Sequence, residues 1–135
     1  MEINIVKKPI PTDAEILEAT RILVEASHGR AWNAGWYHDL KTGQVITRPI
    51  PEVIALMHSE LSEALEGHRK NLMDDKLPHR KMVPVEFFDC VIRIMDAIGA
   101  MYYDDIPALL EKMKYNDQRA DHKIENRIKD DGKKI

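Results

Sequence analysis

The chain has 135 residues, 32% of them charged and 44% hydrophobic, with a formal net charge of −3. This balance is that of a globular protein, excludes a disordered one, and offers no broad basic footprint for nucleic acid. A single cysteine, Cys90, excludes an internal disulfide framework, and no stretch approaches the ~18 apolar residues that span a membrane. The expectation is one soluble cytoplasmic domain over residues 1–135, with no membrane and no nucleic acid as partner.

Residues 1–11, MEINIVKKPIP, read as an N-terminal arm, since Lys7 and Lys8 beside Pro9 do not make a signal peptide. Thr12 or Asp13 caps a first helix with Glu15 in its opening turn. Ile16, Thr20, Leu23, Val24 and Ser27 share one face of it, and Gly29 is expected to end it. Residues 28–50 form a long segment with two tryptophans in which KTGQ reads as a turn. A loop of that length in a small domain is usually functional, here for binding a base or a subunit.

Pro51 opens a second helix whose stripe is Ile54, Met57, Leu61, Ala64 and Leu65, and Gly67 weakens its end. After a polar connector, Pro84 opens a third helix that is apolar almost all round, from Val85 through Phe87, Phe88, Val91 and Ile92 to Ile98. A helix of that kind is expected to be buried centrally. Asp104 and Asp105 precede a fourth helix expected to reach about Ile124, and residues 125–135 are a charged tail. Together these elements predict an all-α bundle of four to five helices.

Two of these helices carry acids three positions apart: Glu60 and Glu63 on the second, Glu86 and Asp89 on the third. Residues i and i+3 share a helix face, so each pair points one way. On the third helix Glu86, Asp89, Arg93 and Asp96 form the only polar line on an otherwise apolar cylinder. Four acids in one low-dielectric groove repel, and some must bind protons unless a cation joins them. Oxygen donors suit the hard ions Mg²⁺ and Mn²⁺, which also recruit phosphate oxygens. A di-iron bundle would need Glu-x-x-His on two helices, which these helices lack. The competing explanation is two salt-bridged polar stripes neutralised by Arg93. Downstream, Lys112, Asn116, Arg119 and Lys123 fall at i, i+4, i+7 and i+11, which on one helix is a stripe suited to phosphates. An ordinary solvated helix end would carry the same cations.

The segments SELSEALEG, VEFFDCVIRIMDAIG and KMKYNDQR, within residues 50–123, resemble the MazG-like all-α nucleoside triphosphate pyrophosphohydrolases. The resemblance implies that Glu60, Glu63, Glu86 and Asp89 hold Mg²⁺, two or more ions per site, with Mn²⁺ accepted. It implies water attack on the α-phosphorus of a nucleoside triphosphate, with release of a monophosphate and pyrophosphate. Lys112, Asn116 and Arg119, with Lys123 beyond them, would contact phosphate or sugar. The length is similar to that of the short, often phage- or bacterium-encoded members, which act in the cytoplasm of their cell or host. The same resemblance implies a homo-oligomer, a dimer or a tetramer, and the apolar third helix independently calls for a partner.

Of the four acids, Glu63, with Glu60 second, is the expected acceptor of the water's proton, because Glu63 lies further from the apolar stripe. In the long segment Trp32 with Asn33 offers an indole to stack on a base and an amide to read its edge, with His28 adjacent. Trp36 is the expected core residue, although both indoles could cover the core or a subunit contact. A broad indole favours purines, so GTP or dGTP is the first expectation. The rival functions are a catalytically idle module binding a nucleotide or partner, and phosphoribosyl-ATP pyrophosphatase, another all-α relative.

Overall fold

The computed structural model describes residues 3–135. Its elements are α1 (Asp13–Asn33), α2 (Ile50–Arg69), α3 (Met82–Met101), α4 (Pro107–Gln118) and α5 (Ile124–Arg127), with short 3₁₀ turns at Tyr103–Asp105 and Ala120–His122. The fold is all-α, and the described residues contain isolated bridges but no strands. The chain divides into two compact units, one of residues 22–103 and one of residues 1–21 with 104–135.

α1 begins with a reciprocal cap. The Thr12 N–H donates to Glu15 Oε2 (2.8 Å) and the Glu15 N–H donates to Thr12 Oγ1 (3.2 Å). The Thr12 N–H, with the Thr12 hydroxyl that also donates to Glu15 Oε2 (3.0 Å), holds the Glu15 carboxyl below its usual range. The helix does not stop at Gly29 but continues to Asn33. Gly35, at φ +84°, closes it: the Gly35 N–H donates to Trp32 O and the Trp36 N–H to Ala31 O. That pairing satisfies the last carbonyls only if the residue between is left-handed, which glycine permits without a Cβ clash. The interior Gly29 costs the helix only about 1 kcal/mol against alanine, too little to end it.

α2 starts at Ile50 with Pro51 in its first turn and runs past Gly67 to Arg69. Asn71, at φ +52°, ends it in the same left-handed manner. The connector is held by an antiparallel bridge between Met73 and Lys81 and by the buried Asp74, whose Oδ2 accepts the N–H groups of Lys76 (2.9 Å) and Leu77 (2.6 Å). The turn expected at KTGQ is present. Asp39 Oδ1 accepts from Lys41 and Thr42, and His38 bridges Val45.

Packing of α2 against α3 dominates the unit of residues 22–103. Its core is Val24, Tyr37, Val53, Ala64, Cys90 and Ala97. A Cβ on Gly99 would lie 2.5 Å from that of His28, so glycine is what lets α3 pass this close to α1. α3 is not enclosed as its composition predicts: Phe87, Phe88, Val91 and Ile92 are exposed, Phe88 by 67%. Two neighbouring helices cover only part of a cylinder that is apolar on nearly every side.

In the other unit, Lys114 of α4 pairs with Asp13 at the start of α1, and Ile106 is buried. The fourth helix ends at Gln118, short of the expected Ile124. Arg119 takes an extended conformation, and its guanidinium grips Asp121 with two bonds (2.9 and 2.7 Å). That fork, available two residues downstream, competes with continued helix.

Candidate metal centre and adjoining cleft

The i, i+3 spacing brings the α2 and α3 acids together. One carboxylate oxygen each from Glu60, Glu63 and Glu86 lies within 4.8 Å of the others. Glu60 and Glu86 are buried, at 6% and 5% exposure, and Glu63 is exposed. Asp89 lies outside this trio, but its charge acts on Glu86, and with Glu60 it lines the neighbouring cleft.

The electrostatics follow from that crowding. Burial first, then a hydrogen-bonding contact with Glu60 and the charges of Glu63, Glu60 and Asp89, push the Glu86 carboxyl up to about 7. Asp89 is raised as well, by burial first and then by the Glu60 charge, against which Arg93 acts. Glu60 accepts a hydrogen bond from Arg93 Nε, whereas the buried Glu86 Oε2 has no partner. A buried carboxylate oxygen without a donor or cation is costly. The all-oxygen donor set and this orphaned atom fit a hard divalent cation.

Beside the acids opens a cleft of about 600 Å³, walled by Arg30 and Ala31 of α1, by Trp36 and Arg48, by Glu60 of α2, and by Asp89, Arg93 and Asp96 of α3. Asp96, the last member of the polar line on α3, is a buried hub. His28 Nδ1 lies 2.9 Å from its Oδ1, the Tyr37 hydroxyl donates to its Oδ2 (3.0 Å), and Arg48 Nη1 stands 4.0 Å from that oxygen. Burial, with the Asp96 hydrogen bond next, pushes the Tyr37 hydroxyl up to about 12. The Arg48 guanidinium also stands 5.8 Å from the ring centre of Trp36 and 5.9 Å from that of Tyr37.

Both tryptophans are exposed, Trp32 by 41%. Trp36, expected in the core, is 63% exposed and lines the cleft. Trp32 lies nearly parallel to Tyr37 at 6.4 Å and edge-on to His38 at 4.5 Å, away from the cleft lining. His28 is engaged with Asp96, and Asn33 is the exposed last residue of α1.

The basic stripe is not one continuous helical line. Lys112 and Asn116 are on α4, where the Lys112 ammonium stands 4.6 Å from the Tyr115 ring centre, but Arg119 and Lys123 lie beyond its end. Within the unit of residues 22–103, the cations that line the cleft are Arg30, Arg48 and Arg93, of which Arg93 belongs to the polar line read on α3. Arg48 and Asp96 had visible signals, the first as the lone guanidinium late in the long segment, the second as the end of the α3 polar line.

No helix is long and apolar enough to cross a membrane among the described residues. The chain matches no family model, no curated protein and no solved structure.

Proposed function

We propose that this protein is a metal-dependent nucleoside triphosphate pyrophosphohydrolase of the MazG-like type, acting in control of the nucleotide pool. The observation that carries this reading is the trio Glu60, Glu63 and Glu86, with an orphaned buried oxygen, set beside a cleft lined by three arginines. Mg²⁺ or Mn²⁺ on these acids and Asp89, as one ion or more, supplies the positive charge that neutralises a triphosphate and steadies departing pyrophosphate. Glu63, the exposed member of the trio, accepts the proton of the water that attacks the α-phosphorus. The bond from that phosphorus to the bridging oxygen breaks, and Arg30, Arg48 and Arg93 hold the anionic products. The purine of GTP or dGTP, the first expectation for substrate, lies against the aromatic segment.

Incubation with each NTP and dNTP plus Mg²⁺ tests the reading. Nucleoside monophosphate and pyrophosphate are the expected products. Diphosphate with inorganic phosphate, or an intact triphosphate, overturns it.

The exposed Trp36 on the cleft wall makes a specific prediction. Trp36→Ala raises KM by about 5- to 150-fold with kcat nearly kept, as loss of a stacking surface worth ~1–3 kcal/mol requires. Trp32→Ala lowers the melting temperature instead, because it removes the partner of Tyr37 and His38. The opposite assignment in steady-state kinetics and thermal melts returns the base contact to Trp32, Asn33 and His28.

The exposed Phe87, Phe88 and Val91 of α3, with Leu61 and Leu65 of α2, support a homo-oligomer, a dimer or a tetramer. Sedimentation at micromolar concentration is expected to give a multiple of 15.6 kDa, and a lone monomer counts against it.

A further inference from the structure

Two buried carboxylates face the same small space, and only one of them is compensated. Glu60 accepts from Arg93 Nε, and Glu86 Oε2 has no partner. Arg93 sits one turn beyond Asp89 on α3 and is itself half-exposed, with 38% of its side chain accessible against 8% for Glu60. It lines the cleft with Arg30 and Arg48, and among the described residues no second carboxylate forms an ion pair with it. An arginine so placed has a long stem, one ion-pair partner, and open cleft beside it.

We propose that Arg93 is a placeholder: it occupies Glu60 while the acids lack a metal, a divalent cation displaces it, and the freed guanidinium becomes a phosphate-binding group in the cleft. The inference rests on the reading that Glu60, Glu63 and Glu86 take a divalent cation. Its physical content is a competition. A buried carboxylate needs a counter-charge, and Arg93 supplies one in the empty site. A divalent ion on the same oxygens supplies more charge and repels the guanidinium at close range. On the cleft lining Glu60, Asp89 and Asp96 offset Arg30, Arg48 and Arg93, so the two charges of the divalent ion leave a positive surplus there that calls for a polyanion. Arg93 therefore opposes metal binding when no anion is present and assists anion binding once metal is in place. Metal and polyphosphate become coupled through one side chain, and by linkage each strengthens the other.

A purely structural ion pair gives no such reversal of sign, so the test reads both signs. Mn²⁺ affinity is measured without anion, by EPR of free Mn²⁺, for the wild type, Arg93→Gln and Arg93→Lys. Affinity for inorganic tripolyphosphate is then measured by calorimetry in excess Mg²⁺, so that the titrant is its Mg²⁺ complex. Arg93→Gln is expected to bind Mn²⁺ about tenfold more tightly and Mg²⁺–tripolyphosphate about tenfold more weakly than the wild type. Arg93→Lys, which keeps the charge, lies between them in both measurements and guards against a folding defect of the glutamine variant. If all three proteins bind Mn²⁺ equally, or Arg93→Gln binds it more weakly, the placeholder role is overturned and the metal centre stands. If none binds Mn²⁺, the metal centre itself falls, and the placeholder with it.

Discussion

Glu60→Gln, Glu63→Gln, Glu86→Gln and Asp89→Asn, made singly, each lower kcat for triphosphate hydrolysis by about 100-fold or more while the far-UV CD spectrum stays helical. The side chains keep their volume, so the α2–α3 packing around Ala64 and Cys90 is undisturbed. On the proposed reading, each change removes a charged donor to a cation that must neutralise several phosphate charges at once. Chelation by EDTA should abolish turnover in the wild type, with recovery on adding Mg²⁺ or Mn²⁺. The four variants need not agree in stability. Glu86→Gln relieves a carboxylate that has three acidic neighbours and an unpartnered oxygen, so the metal-free protein gains stability. Glu60→Gln takes the partner from Arg93, but a half-exposed guanidinium turns to water at little cost. Loss of helicity in all four would instead make these acids a structural salt-bridge system, and near-normal turnover would remove them from the chemistry.

These acids were legible in the sequence because i, i+3 spacing is a local signal and α2 and α3 are regular helices, although α3 begins at Met82, two residues before the Pro84 expected to open it. The Asp96 hub was not legible in the same way. Its partners His28 and Tyr37 lie 68 and 59 residues away, and no periodicity within α3 announces them. Helix ends differ from expectation at Gly29, which α1 passes, and at Gln118, where α4 stops. Gly29 and Gly35 are both glycines, but only Gly35 is followed by a chain that turns back, and only there do the carbonyls need a left-handed residue. At the end of α4, the Arg119–Asp121 fork outweighed a run of good helix formers. Trp36 differs from its expected place in the core because composition cannot say whether an indole just past a helix end faces inward or lines a cleft. For α3, the apolar pattern reported how much surface needs covering, while the number of neighbours available to cover it is a property of the whole fold.

The metal-free protein should lose stability as pH rises from about 4.5 to about 7, a direction opposite to that of most acidic groups. Glu86 sets the sign. Its carboxyl titrates near 4.5 when unfolded and is pushed up to about 7 in the folded chain. Below 4.5 it is protonated in both states and contributes no penalty. Between the two values the unfolded chain releases a proton that the folded chain keeps, so each step upward in pH favours unfolding. Above 7 both states are ionised and the loss is complete, at roughly 2–4 kcal/mol from Glu86 alone. Asp89, also raised, acts in the same sense. Exposed acids held low by backbone N–H donors, such as Glu15 and Asp39, act in the opposite sense, but water screens them. Urea denaturation in EDTA at pH 5 and pH 8 reads the effect, and Glu86→Gln isolates it. The wild type should have its higher midpoint at pH 5, and the variant should show much less change. An equal pH dependence in both proteins would mean that burial of Glu86 is not its source. Added Mg²⁺ or Mn²⁺ at pH 8 should then restore the wild type and leave the variant nearly unmoved, because the cation binds best to the carboxylates that ionisation has set against one another.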